Sequence, residues 1–427
     1  DFMARKKRAL FMTVGTGFKD NQKSLAHGLM CSIVSKDPDL ICFFGSRKSK
    51  STIDTLKQIF NESNDEDFDD YFETKFIEND NIDEFKDYFF EFKSKILELE
   101  NDYKIIIDYT SGTKTMTMSA AFASMIFGKE LFLVAGDRKD GVVVKGTEKC
   151  ISQNLYPIYD ELIMDKLKDL FNSNRFEAGK LLIDDMISTN ENKVIYSKLF
   201  NTYYYFDNVN YKKALENFDL KIFKETWPEL AIDFQKNIIA LNILNKQNQD
   251  SNDKTRFVDH KQKKYYMLAS IINNSKRRGK ENKFDDAVAR LYRSFELIAQ
   301  IRLLEKYNID SSNVDTDVLK EYKLDENYLA ELENSRDKKY NDIKLGLIKD
   351  YVLLEQLNDD LGKFYLENEN KIRNIIKFRN NSILAHGFEF CSEEDFEEFK
   401  EIVLKAADLL NKNMEKFIEE TKFPMFS

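Results

Sequence analysis

Apolar residues form short continuous runs in the first third of the chain. The runs are RALFMTVG (8–15), DLICFFG (39–45), YKIIIDY (103–109) and ELFLVAG (130–136), with VVVK (142–145) as a shorter fifth. Parallel strands that are covered on both faces have such near-continuous apolar sequences. Because amphipathic segments such as FKDYFFEFKSKILELE separate the runs, the pattern predicts an α/β, Rossmann-like domain over residues 1–156.

Beyond residue 157 the strand-like runs nearly stop, and apolar residues recur at spacings of three and four, as in amphipathic helices. We predict an all-α connecting region over residues 157–259 and an α-helical bundle over residues 260–427, with the polar tract NKQNQDSNDKT (245–255) near their boundary. Three short segments look alike, each with an aromatic residue three positions before a small one: FEAG (176–179), YKKA (211–214) and FDDA (284–287). Helical-hairpin repeats have comparable periods, but three loose matches indicate only a helical region.

Composition and charge narrow the classes of function. The chain has no run of 18 apolar residues, so we expect no membrane span. The four cysteines are scattered without CxxC pairs, which favours a reduced cytoplasmic location and argues against a zinc site. The net charge of −10 repels polyanions, so a nucleic-acid partner must be held by local basic pockets.

Three predicted strands end in small, hydroxyl-rich loops, at Gly15–Gly17, Gly45–Ser49 and Tyr109–Lys114. Loops after the carboxyl ends of parallel strands meet at one crevice of an open α/β sheet. In the third loop, a glycine, the free N–H groups of the next helix and Lys114 together suit a phosphate. The loop is not a Walker A motif, and a tight turn with a solvated lysine is an equally good interpretation of these residues.

The segment IIIDYTSGTKTM resembles the signature after the fourth strand of CARF domains, which sense cyclic oligoadenylates in type III CRISPR defence. The match comprises Asp108, Thr110, Gly112, Thr113 and Lys114, with Ser111 where the family usually has a glycine. The resemblance implies a cyclic tetra- or hexa-adenylate activator, no other cofactor, and a homodimer, because the ring and two identical loops can share a two-fold axis. The residues implied to line the ring are Thr16, Gly17, Ser46, Thr110, Ser111, Gly112, Thr113 and Lys114.

A second motif, FRNNSILAHG, pairs Arg379 with His386 near the end of the chain. Seven residues return a helix to nearly the same face, about 10 Å along the axis, so a shared pocket is feasible. Metal-free RNA cleavage by the 2′-hydroxyl needs a proton carrier with a near-neutral pKa and a fixed positive charge, which histidine and arginine supply. Asn380 can orient the phosphate or the histidine by hydrogen bonding. For an isolated pair of this spacing, a helix-capping histidine and a surface arginine are the commoner arrangement.

This segment resembles the Arg-x4–6-His motif of HEPN ribonucleases, and CARF–HEPN fusions are accessory ribonucleases of type III CRISPR systems. The resemblance implies a composite cleft in which Arg379, His386 and Asn380 are catalytic. The first helix of HEPN domains often adds a polar residue, and Arg293 and Glu296 fit that role or form a surface ion pair. The basic segment SKRRGK (275–280) is a candidate for RNA backbone binding or a solvated turn.

The leading hypothesis is a cyclic-oligoadenylate-activated, metal-independent endoribonuclease that cleaves single-stranded RNA and leaves a 2′,3′-cyclic phosphate. An alternative is a non-catalytic nucleotide sensor that signals through its helical part. A third is a metal-dependent nuclease built on Asp102 and Lys104, for which the sequence offers no partner acid at a suitable spacing. Of the other histidines, His27 is expected to be structural and His260 exposed.

Overall fold

The computed structural model describes residues 6–17, 22–139, 142–186, 191–246, 262–322, 324–339, 341–380 and 390–427. These described residues form two compact units. The first comprises the described residues up to Met164 together with Met186, and the second comprises Asp165–Asp185 and the described residues from Glu191 onward. The division at residue 164 falls inside the helix Tyr156–Asn172, and the predicted boundary at residue 259 lies outside the described residues. The three-way domain division therefore stays a prediction.

The first unit is built on a mixed sheet, as the strand-like runs predict. Its described strands are β1 (Lys7–Val14), β2 (Leu40–Gly45), β3 (Glu73–Glu78), β4 (Tyr103–Asp108), β5 (Glu130–Ala135), β6 (Arg138–Lys139), β7 (Val142–Val143) and β8 (Lys149–Gln153). Among them, six form one sheet in the order β3-β2-β1-β4-β5-β8, in which β8 alone runs antiparallel to its neighbour. The Rossmann-like α/β prediction is confirmed.

Neither edge strand of this sheet was predicted from the sequence pattern. β3 has the sequence ETKFIE, in which Ile77 is the buried position, and β8 is mostly exposed. Edge strands are covered less completely, so their sequences lack the continuous apolar run that marks a central parallel strand. The short VVVK run does contain a strand, Val142–Val143, which pairs with Arg138–Lys139 in a separate two-stranded ribbon.

Helices cover both faces of the sheet. They are α1 (Gln22–Lys36), α2 (Lys50–Ser63), α3 (Phe68–Tyr71), α4 (Phe85–Leu99) and α5 (Lys114–Phe127). Successive residues of a strand point to opposite faces. On one face Leu10 and Met12 of β1 pack in a core with α1 and α2, and on the other Phe11 packs with α4 and α5. Phe44 and Phe92 stack at 4.0 Å between ring centroids within this second layer.

From Tyr156 onward every regular element that the structure describes is helical. The helices are α6 (Tyr156–Asn172), α7 (Phe176–Asp184), α8 (Glu191–Asp207), α9 (Tyr211–Asn217), α10 (Leu220–Thr226), α11 (Ala231–Leu244), α12 (Lys263–Lys280), α13 (Phe284–Tyr307), α14 (Thr316–Lys320), α15 (Glu326–Asn334), α16 (Leu347–Gln356), α17 (Asp360–Asn380), α18 (Glu393–Leu410) and α19 (Met414–Glu420). The prediction of an all-α second part is confirmed. None of the described helices is long and apolar enough to cross a membrane.

The three similar segments at residues 176, 211 and 284 each open a helix after the same kind of turn. The residue two positions earlier has a left-handed backbone in all three cases, at Asn174, Val209 and Asn282, with φ of 59°, 60° and 58°. The N–H of the following residue then returns to a carbonyl five positions back, as at a helix C-terminus that ends in a left-handed residue. The shared sequence pattern therefore marks a shared helix–turn–helix geometry.

Helix α13 is central to the C-terminal bundle, where it packs against α12, α16, α17 and α18. Phe295 stacks on Tyr351 of α16 at 4.2 Å between centroids and meets Phe399 of α18 at 5.9 Å. The helical segment between residues 347 and 380 is interrupted, because Asn358 is left-handed (φ 55°) and Asp359 accepts a hydrogen bond from the N–H of Leu361. This break separates α16 from α17.

Candidate functional sites

The loop sites of the sheet unit lie where the strand order reverses. β1 lies between β2 and β4, and the three strands are parallel, so the loops that follow them leave the same edge of the sheet. In doubly wound sheets this switch point is where ligands bind. The structure thus brings together the three loops that the sequence analysis selected.

Ser111 ties the β4 loop to the β1 loop. Its hydroxyl oxygen accepts a 2.9 Å hydrogen bond from the N–H of Gly15, and its carbonyl accepts one from the hydroxyl of Thr13. The backbones are so close that a Cβ on Gly15 would lie 3.1 Å from the nitrogen of Gly112, whose φ of +117° also favours glycine. Ser111, which replaces the usual family glycine, therefore bonds the two loops and is itself buried.

Thr110 is held by the buried carboxyl group of Asp108. The backbone N–H of Thr110 donates to Asp108 Oδ1 at 2.8 Å, and its hydroxyl donates to the same oxygen. That hydroxyl also accepts a 2.8 Å bond from the N–H of Val134 on β5. Burial raises the pKa of Asp108, while the Thr110 donors oppose that effect. The hydroxyl of Thr110 thus stabilises the loop.

Thr113 begins helix α5 as its N-cap residue. Its hydroxyl oxygen accepts a hydrogen bond from the N–H of Met116 at 3.2 Å and donates to the carbonyl of Ile82 at 2.9 Å. Lys114 follows as the first helical residue and is exposed, as are Thr16, Gly17 and Gly112. Exposed backbone N–H groups at the start of a helix, beside a lysine, suit an anion.

Ser46 occupies the loop after β2 and is buried rather than open. Its hydroxyl lies 3.3 Å from that of Ser49, which donates to the carbonyl of Val14 at 2.7 Å. Thr52 donates to the carbonyl of Gly15 at 2.9 Å. The sequence analysis missed Ser49, Thr52 and Ile82 as loop supports. For Ser49 and Thr52, the available signal was a pair of hydroxyl residues spaced three apart at the start of α2.

The C-terminal motif lies at the end of α17. Arg379 and Asn380 belong to the last turn of this helix, and His386 lies outside the described residues. Beyond the motif, the N–H of Cys391 lies 3.3 Å from Asp285 Oδ1 at the start of α13. The catalytic roles of these three motif residues stay predictions.

Arg293 and Glu296 form an ion pair on α13. Arg293 Nη1 donates to Glu296 Oε2 at 2.6 Å and to Gln300 Oε1 at 3.0 Å. Sequence reasoning missed Asp350 of α16, which is fully buried and has no described hydrogen-bond partner for either carboxylate oxygen. Burial, and then the charge of Glu296, raise the pKa of Asp350 to about 8. Asp350 could have been selected from the sequence because it is an acidic residue within an apolar helix face.

The basic segment 275–280 is part of helix α12, so the prediction of a solvated turn was wrong. Arg277 is buried, donates to Asp207 Oδ1 at 2.7 Å and lies over the ring of Phe423 at 3.7 Å. Arg278 forms a further ion pair with Asp207. Asn274 also donates to Asp207 Oδ1, at 2.9 Å. These two arginines therefore serve a buried network and are not open to RNA.

The remaining candidates are simpler. His27 is half-buried on α1, and burial, followed by the charge of Lys145, lowers its pKa. His260 lies outside the described residues. Lys104 pairs with Glu130 at 3.1 Å, and the part of the chain that the structure describes holds no group of three His, Cys, Asp or Glu side chains that could bind a metal. All four cysteines are free thiols.

Comparison with known proteins bears on both parts of the chain. Residues 257–410 match the family model of the Csm6 HEPN domain. This confirms the resemblance of the C-terminal part of the chain to HEPN domains. The solved structure of Enterococcus italicus Csm6 bound to cyclic hexa-2′-fluoro-hexa-dAMP is similar to 97% of this chain and 100% of that one, with a TM-score of 0.65 and 13% identity. No curated protein sequence matches the chain.

At 13% identity the structural likeness concerns the fold. It extends over nearly the whole chain, so the sheet unit and the helical unit follow one another here as they do in Csm6. The matched HEPN segment includes Arg379 and His386, so the predicted motif lies within the part of the chain that matches the family model.

Proposed function

We propose that this CARF–HEPN protein is a cyclic-oligoadenylate-activated, metal-independent endoribonuclease of type III CRISPR antiviral defence, cleaving single-stranded RNA. The observation that carries the proposal is the Csm6 HEPN match over residues 257–410, which contains the Arg379–His386 motif. The same chain has CARF-type loops at the switch point of its sheet. A sensing site and a cutting site on one chain suit allosteric coupling.

The activator binds at the loops after β1, β2 and β4. The exposed Thr16, Gly17, Gly112 and Lys114 face it, while the hydroxyls of Ser46, Thr110, Ser111 and Thr113 hold the loops in shape. Exposed N–H groups and a lysine match the phosphates of a ring nucleotide. The solved relative holds an analogue whose ring has six nucleotides, which supports this class of ligand, and the activator of this chain is a ring of four or six adenylates.

A homodimer is supported by an apolar stripe on α5. Met118, Phe122 and Ile126 are spaced by four residues and are 52%, 40% and 46% exposed. Residues at this spacing share one helix face. Because α5 starts at Lys114 beside the ring site, a second copy packed on this stripe brings two identical loops to one ligand.

We assign RNA cleavage to His386 and Arg379, with Asn380 as an orienting group. His386 exchanges protons with the attacking 2′-hydroxyl or the leaving 5′-oxygen, and Arg379 neutralises the charge that develops on the phosphate. The products are a 2′,3′-cyclic phosphate and a 5′-hydroxyl. Arg293 and Glu296 support the cleft from α13, with buried Asp350 behind them.

The test is cleavage of labelled RNA with EDTA and either the tetra- or the hexa-adenylate ring. His386→Ala should lower cleavage by about 100- to 10,000-fold, the usual contribution of a general acid–base group, and leave ring binding unchanged. His260→Ala is the matched control and should cleave normally. RNA with deoxyribose at the cut site should resist cleavage.

Full activity of His386→Ala, a strict need for Mg²⁺, or cleavage of the deoxy-substituted RNA would contradict the proposed mechanism. Ring binding without any RNA cleavage by the unsubstituted protein would instead support the alternative, a non-catalytic sensor.

A further inference from the structure

A pocket in the helical unit has three lysine residues in its lining. It has a volume of about 210 Å³ and lies between the end of α6, helix α12 and the C-terminal segment after α19. Its lining includes Phe171, Lys276, Lys280, Lys422 and Phe423. Lys276 and Lys280 come from the basic segment whose arginines are used in the buried network.

The lysines and the arginines of residues 275–280 have different surroundings, and their spacing along α12 contributes to this difference. Lys276 and Lys280 are four residues apart and share one face of α12. Arg277 also lines the pocket but is buried, and Asp207 neutralises both Arg277 and Arg278. The two arginines of the segment are therefore already paired, and Lys276 and Lys280 are the segment's remaining cations at the pocket.

The positive charge in the pocket is poorly compensated. Burial, and then the charges of Lys400 and Lys422, lower the pKa of Lys276, and Glu419 opposes them only in part. Among the described residues, no acidic group lies within ion-pair distance of Lys276 or Lys280. Glu419 lines the pocket and lies 3.3 Å from Lys236 and 3.9 Å from the pocket's own Lys422, so it compensates Lys422 and leaves Lys276 and Lys280 as the uncompensated lysines. A concentration of lysines in a chain of net charge −10 is a local exception.

The side-chain amides of Asn172 and Asn273 in the pocket wall are already bonded. The amide of Asn172 pairs with the backbone of Phe426 at 2.8 and 2.9 Å. Asn273 donates to the carbonyl of Ile418 at 2.6 Å and to the hydroxyl of Thr421 at 2.9 Å. These bonds fix the walls, so the ammonium groups of Lys276 and Lys280 remain as donors for a ligand, next to the exposed apolar side chain of Met425.

We propose that this lysine pocket binds the backbone of single-stranded RNA as a substrate subsite away from the cut phosphate. The inference rests on the proposed ribonuclease function and extends it. Ammonium groups attract phosphates without regard to sequence, and an adjoining apolar side chain suits the carbon atoms of a sugar. Lys276 and Lys280 therefore contribute affinity for RNA but little base preference.

The experiment measures binding of a labelled single-stranded RNA at several salt concentrations. A Lys276→Gln/Lys280→Gln double variant is compared with Lys405→Gln/Lys412→Gln, which changes two exposed lysines of the same unit. Both pairs are placed in a His386→Ala background, so that RNA is not consumed. Circular dichroism and ring binding establish that each variant is folded.

We expect the pocket variant to bind RNA about 10-fold more weakly, with the slope of log K against log salt reduced by about 1.4, or 0.7 for each lost contact. The control pair should change neither quantity. Unchanged affinity and slope in the pocket variant, or an equal loss in the control pair, would overturn the subsite and leave the ribonuclease proposal standing. If the unsubstituted protein neither binds nor cleaves RNA, the ribonuclease proposal fails as well.

Discussion

The loops of the sheet unit and helix α12 of the helical unit use their polar residues in different ways. In the loops, hydroxyl groups such as those of Thr110 and Thr113 bond neighbouring backbone, while backbone N–H groups and Lys114 stay exposed. In α12, arginines are buried in ion pairs, while Lys276 and Lys280 face a pocket. In both regions, half of the residues that the sequence suggests as ligand contacts instead form bonds within the protein.

The two regions should also differ in how much stability a substitution removes. A loop hydroxyl that is removed leaves one N–H or carbonyl near water, whereas a partner removed from the Asp207 network leaves a charge buried. The cost of an uncompensated buried charge is several times the cost of a lost neutral hydrogen bond. Substitutions in the two regions can therefore test the distinction.

The largest effect is expected for Asp207→Ala. This change leaves Arg277 buried and without its carboxylate, so the free energy of unfolding should fall by about 3–5 kcal/mol. Urea unfolding followed by circular dichroism measures it. Asn208→Ala, at the exposed neighbouring residue, is the control and should cost less than 1 kcal/mol. Equal stability of the two variants would show that the network is not structural.

A pH-dependent effect is expected at Asp350. Its pKa in the folded protein is raised to about 8, above that of an unfolded aspartate, so the folded state holds the proton more tightly. Stability from this group is therefore present at low pH and is lost as pH rises from about 4 to about 8. Asp350→Asn should remove this dependence, on the order of 3 kcal/mol between pH 5 and pH 8.

The measurement for Asp350 is urea unfolding of the variant and the unsubstituted protein at both pH values. Asp310→Asn, on the short segment between α13 and α14, is a control that should leave the pH dependence as it is. A parallel pH dependence in the Asp350 variant and the unsubstituted protein would contradict the raised pKa.

The smallest effect is expected for Ser111→Ala in the β4 loop. The N–H of Gly15 loses its acceptor, which costs about 1 kcal/mol and should speed local amide exchange about fivefold. Hydrogen exchange of the peptide containing Gly15 reports this directly. Thr117→Ala is the control, because its hydroxyl bonds only carbonyls near the start of α5. Unchanged exchange at Gly15 would mean that Ser111 does not tie the loops.

Most of the fold was predictable because burial leaves a pattern in the sequence. The four central strands and helix α4 were located closely, since continuous or three-and-four spaced apolar residues mark them. Strands β3 and β8 were not, because edge strands lack that pattern. The break between α16 and α17 depends on the left-handed Asn358, which hydrophobic spacing does not reveal.

The candidate sites were predictable to a lesser degree. The three loops were selected correctly as neighbours, because the topology of parallel strands brings them to one edge. The roles of Ser111 and Thr110 within them were not, since a hydroxyl is equally suited to a ligand and to a nearby backbone group. Asp207 was missed because its arginine partners are distant in sequence, and Asp350 because the charge of Glu296 that acts on it is distant too.

By itself, the sequence determined the α/β sheet followed by helices, the loop residues at the switch point and the Arg379–His386 motif, because these follow from local periodicity and residue type. Only the tertiary structure decided which charged groups are neutralised. The spacing within residues 275–280 separates two faces of a helix, but the sequence does not say which face meets Asp207 and which borders a pocket. That depends on contacts between elements far apart in the chain, which periodicity along one element cannot encode.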